Sequence, residues 1–104
     1  MNLPTVGHFI SGHRQPSTSG RTAEVFDPAL GAVTKLVALA NQAEIESAIK
    51  SANAAFPAWR DTSLAKRQQV MFAFRELLNA RKGELAQIIT SEHGKVLSDA
   101  LGEI

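Results

Sequence analysis

The sequence changes character near Ala40, and this change limits the folds that the chain can adopt. Before Ala40, short β-rich runs alternate with clusters of Gly, Pro and Ser, a pattern typical of strands joined by turns. After Ala40, Gly and Pro are sparse and apolar residues recur at helical spacing. The pattern predicts an α+β chain with a strand and hairpin region at 1–40 and a helical region of about four helices at 41–104.

Two turn signals organise the first region. Phe9-Ile10 is followed by Ser11-Gly12, which predicts a tight turn. The β-rich runs 22–26 and 33–39 are separated by Asp27-Pro28-Ala29-Leu30-Gly31, in which Pro presets φ and Gly can adopt a positive φ. We therefore expect the two runs to form a β-hairpin.

The first two helices have recognisable boundaries. Asn41 is a candidate N-cap, and Glu44 three residues later completes the spacing of a capping box. Pro57 stands where this helix should end, because Pro has no N–H to donate. The next helix is expected to begin near Thr62 and Ser63.

Two glycines and a serine mark the remaining helix boundaries. Gly83 is expected to break or bend the pattern between the second and third helices, and Gly94 fits a left-handed cap that ends the third. Ser98 is the candidate N-cap of the fourth helix. The aromatic residues of the first two helices are interpreted as core or interface packing: Phe56, Trp59, Phe72 and Phe74. Phe72 lies off the main apolar stripe and is expected to face a second surface.

Length and charge exclude several classes of protein. A chain of 104 residues makes one domain at most. The 11 basic and 10 acidic residues leave a net charge of +1, which indicates neither nucleic acid nor an anionic membrane as a partner. The sequence has no cysteine, so disulfides, thiolate metal sites and a Cys nucleophile are absent from it.

The N-terminal sequence indicates no targeting segment. Residues 1–9 lack the basic and apolar parts of a signal peptide, and no Arg-rich, acid-poor transit segment is present. No run approaches 18 apolar residues, the length that a membrane helix needs. We therefore expect a cytoplasmic protein, of bacterial origin.

His93-Gly94-Lys95 invites a phosphate-binding interpretation, which the neighbouring residues reject. A P-loop needs Gly five positions before the Gly-Lys pair and Ser or Thr after it, but Ile89 and Val96 occupy those places. Gly94 is therefore interpreted as a helix end and Lys95 as an exposed cation.

The histidines do not form a metal motif in the sequence. His8 and His13 are five residues apart, so on one straight strand they would point to opposite faces. His93 stands far from both, and no HExxH motif or cysteine supports a metal site. Solvated or structural histidines are the simpler interpretation.

The serines and carboxylates carry no recognisable catalytic pattern. Ser11, Ser91 and Ser98 lack the context of a nucleophile elbow. Glu92 and Asp99 are separated by a predicted helix break and are interpreted as solvated. The sequence therefore assigns no catalytic, cofactor-binding or metal residue within 1–104.

The order of several motifs resembles the N-terminal portion of the NAD(P)-dependent aldehyde dehydrogenase superfamily. The matching stretches are "FISG" at 9–12, "FDPALGAV" at 26–33, "AAFPAW" at 54–59 and "EHGK" at 92–95. Each motif is short, but their order and spacing extend over almost the whole chain. The His of "EHGK" and the following "SDALGEI" narrow the resemblance to the CoA-acylating methylmalonate-semialdehyde dehydrogenase branch.

This resemblance implies the N-terminal part of an α/β, NAD-binding domain in a longer, usually homotetrameric enzyme. Such an enzyme oxidises methylmalonate or malonate semialdehyde with NAD and transfers the acyl group to coenzyme A, with loss of carbon dioxide, in valine, pyrimidine or inositol catabolism. Its nucleophilic Cys, its glycine-rich dinucleotide segment and its substrate-binding Arg all belong to later parts of the family's chain.

We therefore expect 1–104 to be a single partial domain, incomplete at its C-terminus and inactive alone. Its partners would be the rest of the parent chain and the other subunits, with no nucleic acid or membrane, and no cofactor would bind this chain alone. Two alternatives remain open: a standalone helical interaction module, and the N-terminus of another aldehyde dehydrogenase branch.

Overall fold

The computed structural model describes residues 2–104, in which strands precede helices as the change near Ala40 predicts. The strands are β1 (Thr5–Val6), β2 (His8–Ile10), β3 (His13–Gln15), β4 (Thr22–Asp27) and β5 (Ala32–Ala38). The helices are α1 (Gln42–Asp61), α2 (Leu64–Ala80), α3 (Lys82–His93) and α4 (Leu97–Gly102). The predicted α+β class, a hairpin region followed by four helices, is confirmed.

The longer sheet has the strand order β1-β5-β4. β1 pairs in parallel with β5, which places Thr5 opposite Leu36 and Val6 opposite Val37. No sequence pattern predicts β1, because a strand of two residues is too short to show a period.

β4 and β5 are joined by the predicted turn. Asp27 stabilises it twice: its backbone oxygen accepts from the Gly31 N–H at 2.9 Å, and its Oδ1 accepts from the Ala29 N–H at 2.9 Å. Gly31 has φ of 62°, which glycine adopts without steric cost. The predicted β-hairpin is therefore confirmed.

β2 and β3 form a separate two-stranded ribbon. Ile10 lies opposite His13, and His8 lies opposite Gln15. The connection is Ser11-Gly12, with φ of 55° and 79°, as expected for a two-residue hairpin turn with positive φ at both positions. The predicted tight turn is confirmed.

The end of α1 differs from the prediction. Pro57 lies inside the helix, which continues to Asp61. Proline removes the hydrogen bond to the carbonyl four residues earlier and its ring crowds that carbonyl, but its fixed φ is compatible with a helix, and here the helix continues past it. The expectation that α1 ends at Pro57 is wrong.

The break between α2 and α3 falls at Arg81 rather than at Gly83. Arg81 has φ of −108° and ψ of 12°, and its N–H donates to the carbonyl oxygens of Leu77 and Leu78. Its guanidinium also pairs with Glu84 in the first turn of α3, with N···O distances of 2.7 and 2.9 Å. Gly83 therefore lies within α3, and the predicted position of the break is wrong.

The start of α4 also differs from the prediction. Val96 occupies the N-cap position and no side chain caps the helix there. Ser98 is the second residue of α4, so its expected role as an N-cap is wrong.

The described residues divide into two compact units. One holds the residues up to Phe26 together with Val33–Asp61, and the second holds Asp27–Ala32 with Thr62–Ile104. Among residues 2–104, only Ala86 of α3 and Ala100 of α4 form a fully buried hydrophobic core. None of the helices in this range is both long and apolar enough to cross a membrane.

The apolar stripes of α1 and α2 are largely exposed. Neither helix has a buried residue. On α2, Phe74 of the main stripe is 52% exposed and Phe72, on another side of the helix, is 55% exposed. A contiguous exposed apolar surface on a helix is typical of a surface that another structure covers.

Candidate functional site

The stretch around His93 forms a helix end, as the sequence predicts. Gly94 has φ of 85°, and its N–H donates to the Thr90 oxygen at 2.9 Å. A side chain at this position would meet Pro28 of the turn between β4 and β5, because an added Cβ would lie 2.9 Å from its Cγ. The left-handed conformation and this close approach both require glycine.

Lys95 differs from its predicted role as an exposed cation. Its side chain is only 20% exposed, and its Nζ forms an ion pair with Glu103 just beyond α4. The Lys95 ammonium lowers the pKa of the Glu103 carboxyl below its ordinary value. The ion pair therefore connects the residues just before and just after α4.

The ribbon corrects the predicted placement of two histidines. His13 lies opposite Ile10, and His8 is two residues from Ile10 on the same strand. Because paired residues and alternate residues share a face, His8 and His13 lie on one face of the ribbon. The prediction of opposite faces is wrong because the chain reverses at Ser11-Gly12. No cluster of three or more His, Asp or Glu side chains within residues 2–104 is placed to hold a metal ion.

The serines considered above participate in local hydrogen bonds. Ser91 Oγ donates to the Ile88 oxygen at 2.8 Å, within α3. Ser11 Oγ lies 2.7 Å from Ser51 Oγ, so the tip of the ribbon contacts the middle of α1. Neither hydroxyl contacts an imidazole that could act as its base.

The densest group of polar contacts in the first unit surrounds Glu44. We name His8, Ser17, Thr18, Asn41 and Glu44 the Glu44 cluster. Glu44 and Asn41 form the predicted capping box, in which the Glu44 N–H donates to Asn41 Oδ1 and the Asn41 N–H donates to Glu44 Oε2, each at 2.9 Å. This reciprocal pair satisfies two N–H groups at the start of α1.

The same carboxylate also binds the loop that follows β3. The Thr18 N–H donates to Glu44 Oε1 at 2.6 Å, and Thr18 Oγ1 lies 3.2 Å from the same oxygen. Ser17 Oγ donates to Oε2 at 2.9 Å, and His8 Nε2 lies 3.3 Å from Oε2. Glu44 therefore joins the ribbon, the loop and α1 through one side chain.

These contacts fix the charge state of Glu44. Its side chain is 14% exposed, and that of His8 is 18% exposed. The hydrogen bonds from the Thr18 and Asn41 N–H groups lower the Glu44 pKa to about 2. A general base works best with a pKa near the working pH. Glu44 is therefore a poor proton acceptor near neutral pH, and its arrangement stabilises structure.

Two further contacts hold the loop to the segment before α1. Ser19 Oγ donates to the Leu39 oxygen, and Arg21 Nη2 donates to the Ala40 oxygen at 2.8 Å. The Arg21 N–H donates to Ser19 Oγ at 3.1 Å. The sequence signalled only the Asn41–Glu44 part of this network, because its other partners are 19 or more residues from the segment that they bind.

The junction between β5 and α1 lacks the features of a dinucleotide-binding turn. A Rossmann-type cradle needs a glycine-rich turn between a strand and the N-terminus of a helix. The junction between β5 and α1 is Leu39-Ala40-Asn41, which contains no glycine. The N-terminus of α1 is also occupied by the Glu44 carboxylate, which an anionic phosphate would have to displace.

Comparison with known proteins identifies relatives over nearly the whole chain. The sequence profile of the aldehyde dehydrogenase family matches residues 15–104. A malonate-semialdehyde dehydrogenase from Pseudomonas aeruginosa is 43% identical over 98% of this chain and 20% of its own length. The human mitochondrial methylmalonate-semialdehyde/malonate-semialdehyde dehydrogenase (acylating) is 41% identical over 99% of this chain and 19% of its own length.

Comparison with solved structures shows that the fold is also similar to that of a semialdehyde dehydrogenase. A Sinorhizobium meliloti 1021 protein assigned as a methylmalonate-semialdehyde dehydrogenase, complexed with NAD, superposes with a TM-score of 0.95. It is 44% identical, and the match covers 98% of this chain and 21% of that protein. The chain thus spans about a fifth of the length of the relatives that it matches.

Proposed function

We propose, because this chain belongs to the aldehyde dehydrogenase family, that it forms the N-terminal part of an NAD-dependent, CoA-acylating semialdehyde dehydrogenase. The observation that carries the proposal is the similarity to malonate- and methylmalonate-semialdehyde dehydrogenases, which extends over almost the whole chain. The motif order from "FISG" to "SDALGEI" supports the same branch.

The proposed reaction of the parent enzyme converts methylmalonate or malonate semialdehyde, coenzyme A and NAD to propionyl-CoA or acetyl-CoA, carbon dioxide and NADH. It belongs to valine, pyrimidine or inositol catabolism. NAD accepts the hydride, and a Cys thiolate outside these 104 residues forms the acyl intermediate.

In this proposal, the 104 residues contribute structure and no chemistry. The sequence has no cysteine, and the Glu44 carboxylate is held by donors of its own chain. The Glu44 cluster would set the position of α1 against the ribbon, and the exposed stripes of α1 and α2 would be covered by the rest of the parent chain and by other subunits. We expect the chain alone to form no NADH.

The natural protein tests this proposal directly. An antibody against this chain should detect a polypeptide about five times as long, since the chain covers 20% of the Pseudomonas relative. The protein captured by the antibody should form NADH from methylmalonate or malonate semialdehyde only when coenzyme A is present. NADH formation that is independent of coenzyme A, or that requires another aldehyde, would assign the chain to another branch of the family.

The exposed apolar residues of α2 favour one rival function, a standalone interaction module. Val70, Phe74 and Leu77 lie on one face of the helix, and each is exposed. An antibody signal only at the mass of 104 residues, with no longer species, would support this rival.

The proposal also includes location and assembly. We place the parent enzyme in the bacterial cytoplasm as a homotetramer, without a nucleic-acid or membrane partner. Cell fractionation and size-exclusion chromatography of the captured protein test both statements.

A further inference from the structure

The strand region contains a cavity that is separate from the contacts described above. Its volume is about 370 Å³, and it lies between β1, β3, the loop after β3 and the adjoining ends of β4 and β5. Arg14 and Arg21 line this cavity, together with Thr5 and Thr22. None of the described residues that line it is an Asp or a Glu, so its wall carries positive charge without a compensating acid.

Both guanidinium groups keep donors for a ligand. Arg21 uses its Nη2 to donate to the Ala40 oxygen at 2.8 Å, which holds the side chain in place and leaves its other side-chain N–H groups to donate to a ligand. Arg14 lies on β3, opposite Phe9, and no carboxylate among residues 2–104 forms an ion pair with it.

We propose that this cavity binds a compact oxyanion, carboxylate or phosphate, between Arg14 and Arg21. The planar guanidinium fork matches two oxygens of either group, and charge-assisted bonds of this kind are stronger than neutral ones. Thr5 and Thr22 also line the cavity, and each carries a hydroxyl group that can donate. The volume is at the lower end of the range for small-molecule sites.

Glu44 does not neutralise the site. Glu44 contacts Ser17, which borders the cavity, but the carboxylate itself does not line it. Its oxygens already accept from the donors of the Glu44 cluster. The proposed site is therefore separate from that cluster, and it does not depend on the proposed enzymatic function.

NMR of the arginine side chains in the 104-residue chain tests the proposal. Inorganic phosphate and malonate are titrated at constant ionic strength, with chloride as the reference anion, because salt screens exposed charges. The Nε–H signals of Arg14 and Arg21 should shift saturably, while that of the exposed Arg75 on α2 should not. Saturation with phosphate alone identifies a phosphate ligand, and saturation with malonate alone identifies a carboxylate ligand.

Variants connect the shifts to the cavity. R14Q and R21Q should each weaken the apparent affinity about tenfold, the effect of losing a charge-assisted hydrogen bond. R75Q removes the same charge from α2 and should bind as the original chain does. R14Q leaves the Arg21–Ala40 bond intact, so it separates ligand binding from the folding of the loop. Equal binding by R14Q and R75Q, or no saturable shift with either anion, would overturn the proposal.

Discussion

The start of α1 and the start of α2 show two different ways of holding a helix. At α1, the Asn41–Glu44 capping box is joined to a loop and a ribbon that are distant in sequence. At α2, Ser63 Oγ accepts one bond from the Lys66 N–H, and this bond is long, at 3.4 Å. Polar tertiary contacts hold α1 in position. α2 has no buried residue, and its apolar surface is exposed.

This difference separates two requirements of folding. Polar contacts specify the position of a segment, but burial of apolar surface supplies most of the stabilising free energy. Among the described residues, the contacts around Glu44 specify position. Little apolar surface is buried, because only two alanines form the hydrophobic core. We therefore expect the isolated chain to be weakly stable.

Removal of the Glu44 side chain should have the largest effect. Glu44→Ala leaves the donors from Thr18, Ser17 and Asn41 without their acceptor, so the ribbon, the loop and α1 should separate. We expect a loss of helical circular dichroism and a lower denaturant midpoint. Glu46→Ala is the matched control, because Glu46 is exposed and accepts only from Gln42 on its own helix. Equal midpoints for the two variants would contradict the assigned role.

Acid should weaken the same contacts in the native chain. The Glu44 pKa falls from 4.5 to about 2 on folding, so its stabilisation is fully present above pH 4.5 and is lost as the pH falls through about 2. Urea midpoints measured across this interval should fall with pH. In Glu44→Gln, which cannot titrate, this part of the fall should be absent, and an unchanged pH profile would assign it to other carboxyls.

Gly94→Ala should destabilise the second unit. The left-handed conformation alone costs a residue with a Cβ roughly 1–2 kcal/mol, and the added methyl group also meets Pro28 at 2.9 Å. Gly102→Ala is the matched control, because it lies in α4 with no heavy atom near its added Cβ. Thermal melts should show a loss for Gly94→Ala only; a similar loss in both variants would contradict this account.

Removal of the α2 cap should have a smaller effect. Ser63→Ala should cost about 0.5 kcal/mol, the low end for an N-cap, because the bond to the Lys66 N–H is long. Asn41→Ala, measured in the same denaturation experiment, should cost more. A larger loss for Ser63→Ala would reverse the comparison between the two helices.

Substitution on the exposed stripe of α2 should have the smallest effect on stability. Phe74→Ser should change the free energy of unfolding by no more than about 0.5 kcal/mol, because its side chain is not buried. It should also reduce concentration-dependent self-association in sedimentation velocity. A large loss of stability would mean that Phe74 packs within the chain.

The sequence predicted the features that are local. The capping box at Asn41 and Glu44, the turn at Ser11-Gly12 and the cap at Gly94 each depend on residues within a few positions of one another. The α+β class followed from the change of period near Ala40.

Features that depend on distant contacts or on small differences in backbone energy were missed. Ser17, Thr18 and His8 reach Glu44 across 26 to 36 residues, and nothing in the local pattern marks them as partners. Pro57 was given too much weight as a helix breaker: α1 continues to Asp61 despite the lost backbone bond and the crowding of the proline ring.

Hydrogen exchange of the isolated chain tests the central claim, that the Glu44 cluster holds the first unit in place without apolar cover. The N–H groups of Thr18, Asn41 and Glu44 donate to side chains of the cluster, so the account predicts that they exchange more slowly than the N–H groups in the middle of α2. Equal or faster exchange at Thr18, Asn41 and Glu44 than in α2 would contradict it.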